Sequence, residues 1–293
     1  MKPLAAFLLA AAAMAQPRPP VTSDIVVVDR DGGNERVVYS SPRLFEAPNW
    51  SPDGLYLLLN SEGRLWKLPV EGGGPVPVDT GAVKGINNDH GISRDGKWFA
   101  ISAGQIYVLP SAGGEPRQVT EKKPSYFHGW SPDGNTLAYC AERDGNFDLY
   151  AIRAAGGPEQ RLTTSPGYDD GPDYSPDGRW IYFNSDRSGS WDIWRIPASG
   201  AGPNDRDAER LTSDSYEDWF PHSSPDSQLL VFLSFEKGTK GHPPNRQVLL
   251  RTMRPGGGRM RVVAKLFGGQ GTLNVNSWSP DSRRFAYVRY APR

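Results

Sequence analysis

Cysteine and histidine are scarce in this sequence. Among 293 residues there is one cysteine, Cys140, and there are four histidines. A lone cysteine cannot form an internal disulfide, so burial and hydrogen bonding must hold the fold. Leu137, Ala138 and Tyr139 precede Cys140 and predict a strand in which the thiol behaves as a small buried apolar group.

An excess of charge of either sign is also absent. The chain carries 33 basic and 33 acidic residues and contains no basic run. Proteins that bind nucleic acid usually present a basic patch to the phosphates, so a nucleic-acid partner is not expected. The composition does not shift along the chain either, which predicts a single domain over residues 23–293.

Apolar runs long enough for a permanent membrane span are missing as well. Residues 4–13 are apolar, whereas a membrane-spanning helix needs about 20 such residues. Lys2 precedes this run and Ala13-Met14-Ala15 ends it, which is the pattern of a signal peptide cleaved after Ala15. We therefore predict a signal peptide at residues 1–15, a Pro-rich leader at residues 16–22, and a periplasmic or secreted mature protein.

What the sequence does contain is a repeat. Ser-Pro-Asp-Gly stands at residues 51–54, 131–134 and 175–178, Ser-Arg-Asp-Gly at 93–96, and Ser-Pro-Asp-Ser at 224–227 and 279–282. Successive serines are 42, 38, 44, 49 and 55 residues apart, and a period of about 40 residues is typical of a propeller or a solenoid. Pro, Asp and Gly favour a tight reversal, so each copy predicts a hairpin turn. Ser227 and Ser282, which replace the last Gly, predict a modified turn.

The flanks of each copy predict four strands per repeat. A bulky residue precedes most copies, as at Trp50, Trp130 and Trp278, and a short apolar run follows each turn. A third strand, a Gly-Gly turn and a short fourth strand come next, as in residues 147–163. Four short strands make one propeller blade, and no helical period occurs after the signal segment. The three tryptophans are expected to pack between blades.

The last repeat lacks its two outer strands, and the beginning of the mature chain supplies them. Residues 24–29 have the pattern of a third strand, and residues 36–39 have that of a fourth strand. The sequence therefore predicts an all-β fold, a six-bladed β-propeller of four-stranded antiparallel blades, whose last blade is closed by two N-terminal strands. Such closure hides sheet edges that would otherwise be unpaired.

These motifs resemble the TolB-type, WD40-like propeller repeat of periplasmic bacterial proteins. The shared motifs are Trp-Ser-Pro-Asp-Gly at residues 130–134, Asp148-Leu149-Tyr150 and Asp192-Ile193-Trp194 in third strands, and Arg161-Leu162-Thr163 and Arg210-Leu211-Thr212 in fourth strands. The resemblance covers roughly residues 23–291. It implies the fold, but it says less about function because one fold hosts many functions.

The histidines lie near one mouth of the predicted channel. His90 and His128 lie three residues before their motif serine, His222 lies two before, and His242 lies in the longest loop on the same face. We predict a ligand-binding site at this mouth. Its candidate residues are Asn88, Asp89, His90, Tyr126, His128, Tyr168, Asp169, Asp170, Trp219, His222, His242, Gln270 and Asn276.

Several roles remain open for these side chains. Imidazole beside carboxylate suits a general acid/base pair or a divalent metal site, and Asp169, Asp170 and Glu217 are the candidate catalytic groups. Tyr126, Tyr168 and Trp219 could stack on a sugar ring or a peptide. Asp169 and Asp218 equally suit bracing of their loops, and the histidines equally suit capping of a neighbouring blade.

Two classes of function follow from this mouth. The first is a monomeric binding or scaffold propeller that holds a peptide, a protein or a glycan. The second is a metal-dependent carbohydrate-active enzyme, a lyase or a hydrolase. Oligogalacturonate lyases also resemble TolB-type propellers, and this resemblance implies a divalent metal ion bound by His and Gln side chains. His90, His128, His222 and Gln270 are the candidate ligands, and no other cofactor is implied.

Overall fold

The computed structural model describes residues 21–293. Within this range, 23 strands form six antiparallel sheets, which are the six blades of a β-propeller, as the sequence predicts. The predicted signal peptide and most of the predicted leader lie outside the described residues. The part of the chain that the structure describes contains no helix long and apolar enough to cross a membrane.

Five blades are made of consecutive strands, which follow one another from the channel outwards. Blade 1 contains β3 (Glu46–Trp50), β4 (Tyr56–Ser61), β5 (Arg64–Pro69) and β6 (Val76–Pro77). Blade 2 contains β7 (His90–Ile92), β8 (Trp98–Ser102), β9 (Ile106–Pro110) and β10 (Arg117–Gln118). Blade 3 contains β11 (Ser125–Trp130), β12 (Thr136–Arg143), β13 (Asn146–Arg153) and β14 (Gln160–Arg161). Blade 4 contains β15 (Asp169–Tyr174), β16 (Trp180–Ser185), β17 (Asp192–Pro197) and β18 (Glu209–Arg210). Blade 5 contains β19 (Tyr216–Ser223), β20 (Leu230–Glu236), β21 (Pro244–Met253) and β22 (Arg261–Gly269).

Blade 6 joins the two ends of the described chain. It contains β23 (Arg284–Pro292), β1 (Val21–Asp29) and β2 (Arg36–Ser41), and Trp278 pairs with Phe285 at its inner edge. β1 pairs with β23 without a register shift, from Val21 opposite Pro292 to Asp29 opposite Arg284. The predicted closure by two N-terminal strands is confirmed. β1 begins at Val21, two residues before the predicted start of the propeller.

Each repeat motif forms a turn that satisfies its own polar groups. In blade 1 the Ser51 hydroxyl donates to the Asp53 carboxylate at 2.6 Å and accepts the N–H of Tyr56 at 3.0 Å. The Asp53 carboxylate also accepts the N–H of Leu55 at 3.0 Å. The same three bonds form in the other five copies. Because the serines are buried, these bonds replace the water that the hydroxyls lose on folding.

Ser227 and Ser282 keep the turn geometry of the glycines that they replace. Their φ angles are 58° and 61°, in the left-handed region that Gly54 and Gly96 also occupy with 79° and 73°. Their N–H groups still bond the carbonyls of the motif serines at 2.8 and 2.9 Å. The prediction of a modified turn is therefore wrong. A residue with a side chain simply takes the left-handed conformation, at a cost of about 1–2 kcal/mol.

Ion pairs between a buried Asp and a partly exposed Arg attach the short fourth strands to the third strands. Arg161 of β14 donates to Asp148 of β13 at 2.6 Å, and the Thr163 hydroxyl accepts the N–H of Leu149 at 3.0 Å. Asp192 with Arg210 and Ile193 with Thr212 repeat this arrangement in blade 4, at 2.7 and 2.9 Å. β14 and β18 each have only two residues and form few backbone hydrogen bonds. These side-chain bonds therefore hold the outer strand of each blade in place. The recurring Asp and Arg-x-Thr motifs thus have a structural role.

The apolar core lies between neighbouring blades. Trp278 and Phe285 of blade 6 pack in one cluster with Val231 and Leu233 of blade 5, and the other blade pairs pack in similar clusters. Cys140 of β12 is fully buried and donates its thiol hydrogen to the Asp169 carbonyl at 3.2 Å. Burial raises the pKa of this thiol well above its usual value. The buried position predicted for Cys140 is confirmed.

The two serine-ended turns offer a matched test of left-handed strain. Ser227 is exposed, whereas the hydroxyl of buried Ser282 accepts the N–H of Asp226 in the neighbouring blade at 2.9 Å. We expect Ser227→Gly to raise the free energy of unfolding by up to about 1 kcal/mol, since the relieved strain exceeds the added chain entropy. Ser282→Gly should gain no stability, because it also loses a hydrogen bond worth about 0.5–1.5 kcal/mol. Urea denaturation of both variants measures the difference, and equal shifts would contradict this account.

Candidate functional site

Two cavities lie in the propeller channel, one towards each mouth. The turn mouth is ringed by the repeat turns, and its cavity, of about 330 Å³, is bordered by Ser51, Ser131 and Ser175. The entry mouth is the opposite end, where loops lead into the inner strands. Its cavity, of about 220 Å³, is the entry pocket, and it lies where the sequence predicts the histidine-bearing site.

Four blades and the loop before blade 6 contribute side chains to the entry pocket. The lining residues are Asn87 and Asp89 of blade 2, Tyr126, His128 and Phe147 of blade 3, Tyr168 and Asp170 of blade 4, Phe220 and His242 of blade 5, and Gln270 in the loop before blade 6. Seven of these ten are predicted from the sequence; Asn87, Phe147 and Phe220 are additional. The pocket therefore brings together residues of neighbouring blades that lie far apart in the sequence.

A buried ion pair forms the polar centre of the entry pocket. Nε2 of His128 lies 3.1 Å from an Asp170 carboxylate oxygen, and both side chains are almost fully buried. His242 approaches the other oxygen of Asp170 at 3.9 Å and is partly exposed. Asp89 accepts a short hydrogen bond from the Asn87 side chain. Two carboxylates and two imidazoles thus face one small space.

The four groups have different protonation tendencies. Burial opposes charge on His128, but the hydrogen bond and the charge of Asp170, with the charge of Asp89, outweigh it and raise the pKa of His128. Burial would raise the pKa of Asp170, but its bond to His128 and the charges of His128 and His242 lower it. Burial raises the pKa of Asp89 to about 6 despite the charge of His128. Burial lowers the pKa of His242 although Asp170 opposes this.

Polar atoms in this pocket are left without protein partners. Nδ1 of His128 and Nδ1 of His242 are buried and have no hydrogen-bond partner of good geometry among residues 21–293. Unpaired buried nitrogens are costly, and native structures usually satisfy them with water or a ligand. Because these two nitrogens have essentially no accessible surface, what the entry pocket presents to a ligand is the carboxylates of Asp89 and Asp170 and the aromatic rings.

Aromatic rings form the walls of the entry pocket. Phe220 stacks on the His128 ring, with centroids 5.9 Å apart and an angle of 20° between the planes. Phe147 stacks on Tyr168 at 4.5 Å. The φ of Phe220 is 55°, which is strained for a bulky residue, and such strain is concentrated at functional sites. Trp219 is fully buried behind Phe220 against Trp191, so the aromatic surface towards the pocket comes from Phe220 rather than from Trp219.

Other predicted site residues lie outside the entry pocket. His90 and Asn276 line the turn cavity, and Nε2 of His90 is 3.3 Å from the Leu58 carbonyl. His222 is fully buried, with Nδ1 3.2 Å from Asp173 and Nε2 3.3 Å from the Leu273 carbonyl. Asn88 lies behind the lining, where its side-chain oxygen accepts a hydrogen bond from Gln270 at 3.5 Å. Among the described residues, only His128 borders both cavities.

Two of the three candidate catalytic acids brace loops. Asp169 is fully buried and accepts from Arg187 at 2.7 Å, and Arg187 also pairs with Asp205 at 3.2 Å. Glu217 accepts the N–H of Trp191 at 2.7 Å and the N–H of Gly238 at 2.8 Å. Asp170 is the one candidate of the three that lines the entry pocket. Asp218, for which the sequence left open a role in bracing its loop, forms an ion pair with Arg251.

The side chains predicted as metal ligands are not gathered at one point. His90 borders the turn cavity, Gln270 borders the entry pocket, and both ring nitrogens of His222 already face protein acceptors. Residues 21–293 contain no group of three or more His, Cys, Asp or Glu side chains arranged to hold a metal ion. This geometry does not fit the donor set that a divalent metal site requires.

Phe220 could have been recognised from the repeat alone. It stands four residues before its motif serine and precedes Pro221; in the two other copies that have proline at this place, Ala47 precedes Pro48 and Gly171 precedes Pro172. All three take a left-handed φ, of 55°, 54° and 64°. A large ring at a position that favours small residues is the signal that sequence reasoning missed. Asn87 and Phe147 carry no comparable signal.

Comparison with known proteins assigns the chain to a family. The family profile described as the TolB beta propeller domain matches residues 93–265. An uncharacterized protein of Agrobacterium fabrum is 52% identical over 264 residues, which cover 88% of each chain. The chain belongs to the TolB β-propeller family. The resemblance seen in the sequence is thereby confirmed.

Solved structures and curated relatives agree on this fold. An Agrobacterium tumefaciens structure, provisionally called TolB, is 50% identical, has a TM-score of 0.89 and covers 93% of this chain and 99% of that one. The Tol-Pal system protein TolB of Bordetella pertussis is 32% identical over 153 residues, which span 46% of this chain and about a third of that protein. An oligogalacturonate lyase in complex with manganese has a TM-score of 0.56, 13% identity, and coverage of 94% and 97%, which shows the fold alone.

The His128–Asp170 pair can be tested by titration. Asp170→Asn removes the charge and the acceptor that raise the pKa of His128, while burial still lowers it. We therefore expect the pKa of His128 to fall, measured by NMR on the four imidazoles. In the unmodified protein the imidazolium stabilises the fold below about pH 6.5, and this contribution is lost as the pH rises through the raised folded-state pKa.

Asp173→Asn is the matched control, because Asp173 pairs with His222 and does not line the entry pocket. It should leave the titration of His128 unchanged. An unchanged His128 titration in Asp170→Asn would contradict the ion pair.

Proposed function

We propose that this protein is a secreted or periplasmic binding propeller that holds a peptide or glycan ligand in its entry pocket, through a cationic group of that ligand. The observation that carries the proposal is the buried cluster of Asp89, His128, Asp170 and His242 around one cavity. Its two carboxylates border the cavity and are available to a ligand. A protein partner can supply such a ligand, since a chain end or a loop would enter a mouth of this kind.

The sign of the ligand charge follows from the protonation of the cluster. Near pH 7, Asp170 is ionised, Asp89 with its pKa of about 6 is mostly ionised, and His128 with its raised pKa retains positive charge. His242, whose pKa is lowered, is neutral. Two carboxylates therefore face about one imidazolium, and the pocket has an excess of negative charge. A buried excess charge is stabilised by an opposite charge, which an ammonium group of the ligand would supply.

The walls and the size of the pocket favour the same ligand. Phe147, Tyr168, Phe220 and Tyr126 present aromatic rings around the carboxylates. Cations bind favourably over aromatic faces, and sugar rings or peptide groups stack on them. A cavity of about 220 Å³ is smaller than the range of about 300–1,000 Å³ usual for whole small-molecule ligands. It suits one group at the end of a longer ligand that remains outside.

Location outside the cytoplasm is the second part of the proposal. It is supported by the signal-peptide pattern of residues 1–15 and by membership of the TolB β-propeller family. A monomer is proposed because the six sheets form a closed ring, in which each blade already packs against a neighbour on either side. Since the chain spans about a third of the TolB of Bordetella pertussis, a role in a Tol-Pal system is not carried over.

Paired probes test the charge preference. We expect a glucosamine tetramer and a lysine-containing peptide to bind more tightly than an N-acetylglucosamine tetramer and the acetyl-lysine peptide. Asp170→Asn and Asp89→Asn should each weaken binding of the cationic member by about tenfold or more, since a charge-assisted hydrogen bond is worth about 1.5–3 kcal/mol. Isothermal titration calorimetry measures both comparisons.

Glu62→Gln is the matched control for these variants. Glu62 is an exposed carboxylate in the β4–β5 loop, on the entry-mouth side, and it does not line the pocket. Its replacement should leave all affinities unchanged. Equal affinity for charged and acetylated probes, or an equal effect of Glu62→Gln, would overturn the proposal.

A carbohydrate-active enzyme is the second candidate function. The observation that favours it is Asp89, a carboxyl group with a pKa of about 6 beside an ion-paired imidazole, since general acids and bases have such pKa values. In this reaction Asp89 and His128 would transfer protons without a metal ion. Release of reducing ends from the glucosamine tetramer, lost in Asp89→Asn, would favour the enzyme. Stoichiometric metal in the purified protein, lost in His128→Ala, would instead favour the metal-dependent form.

A further inference from the structure

The turn cavity is a second enclosed space, on the side opposite to the entry pocket. Its volume of about 330 Å³ lies within the usual range of about 300–1,000 Å³ for small-molecule sites. Residues from all six blades border it, among them the aromatic residues that precede four of the repeat turns. These four are Trp50, Trp130, Tyr174 and Trp278. We call them the aromatic collar.

The three tryptophans of the aromatic collar are fixed in place and present their rings to the cavity. The indole N–H groups of Trp50, Trp130 and Trp278 donate to the carbonyls of Gly54, Gly91 and His222 at 3.2, 3.3 and 3.0 Å. Their donors are therefore used within the protein, and their rings are fixed by packing between blades. A ligand at this mouth would meet aromatic faces and edges, and it would find its polar partner elsewhere.

Arg94 is the guanidinium that borders this cavity. It stands where the other five repeat motifs have proline, so the second turn is the one copy that places a charge there. Its guanidinium donates to the carbonyl of Pro176 in the fourth turn at 2.8 Å. Blades 2 and 4 are not neighbours, so the side chain spans part of the mouth and borders the cavity.

The guanidinium has unused capacity for an anion. Arg94 forms no ion pair with any carboxylate in the part of the chain that the structure describes, and one carbonyl occupies one of its five donors. The lining carboxylate, Asp173, is already bonded to His222 at 3.2 Å and to Asn276 at 2.9 Å. A guanidinium at the rim of an aromatic cavity matches a planar, singly charged anion, because its fork binds a carboxylate in bidentate geometry.

We infer that the turn cavity is a second binding site, which takes a carboxylate whose apolar or aromatic part lies within the collar. The carboxylate bonds to Arg94, and the apolar part contacts the collar. The C-terminal residue of a peptide has this chemistry, as does a small aromatic acid. The site opens at the mouth opposite to the entry pocket and has its own cation, Arg94, although His128 borders both cavities.

N-acetyl-Gly-Phe with a free carboxylate and its C-terminal amide are the probes. The acid should bind at least about tenfold more tightly than the amide, because charge-assisted hydrogen bonds to Arg94 are made by the acid alone. Arg94→Pro, which restores the residue found in the other turns, should bring the acid down to the affinity of the amide. Titration calorimetry gives the affinities, and melting curves show that Arg94→Pro stays folded.

Two control variants separate this site from a neighbouring cation and from the entry pocket. Lys97→Ala removes an exposed cation of the same turn that does not line the cavity, and it should leave both affinities unchanged. Phe147→Ala, which removes an aromatic wall of the entry pocket and lies outside the turn cavity, should also leave them unchanged. Equal binding of acid and amide, no binding of either probe, or full binding of the acid by Arg94→Pro would each overturn the inference. Loss of acid binding in Phe147→Ala would overturn it too, since the probe would then be in the entry pocket.

Discussion

The pairing of β1 with β23 is the interaction on which the rest of the molecule depends. Nine consecutive residues of each strand lie in register, from Val21 opposite Pro292 to Asp29 opposite Arg284. This pairing completes blade 6 and lets it pack against blades 1 and 5. Without closure the six inner strands would have no common channel, and neither cavity would be lined on all sides. Functional geometry in this protein is therefore a consequence of ring closure.

Irregularities of the inner strands decide which side chains reach which cavity. The pairing of β11 with β12 shifts register between Phe127 and Gly129, so His128 lies in a bulge and borders both cavities. The pairing of β7 with β8 has no such shift at His90, which borders only the turn cavity. A bulge re-aims side chains relative to a regular strand. Two histidines at the same repeat position therefore have different environments.

The two mouths differ in charge and in how they are built. Towards the entry mouth lie Asp89, Asp170 and His128, whose pKa is raised by Asp170, on strand ends and loops that differ from blade to blade. At the turn mouth the six turns have one hydrogen-bonding pattern, and Arg94 is the departure from it. The similar turns place aromatic residues at equivalent positions, which form the aromatic collar. The loops at the entry mouth differ between blades, and they form one particular cluster of carboxylates and imidazoles. In a repeat protein, a residue that departs from the repeat need not have the structural role of the equivalent residues in the other copies.

The sequence by itself determined the fold, because the repeat encodes it locally. Each Ser and Asp of the motif satisfies its own turn, and the four strands per repeat and the closure at residues 24–29 and 36–39 follow from patterns of a few residues. It also located the mouth, since seven of the ten entry-pocket residues lie at predicted positions. Only the tertiary structure decided that Asp169 and Glu217 brace loops, that His90 and His222 bond to neighbouring protein groups, and that Trp219 is buried behind the wall of the pocket. These outcomes depend on bulges and on contacts between blades far apart in sequence, which no local pattern records.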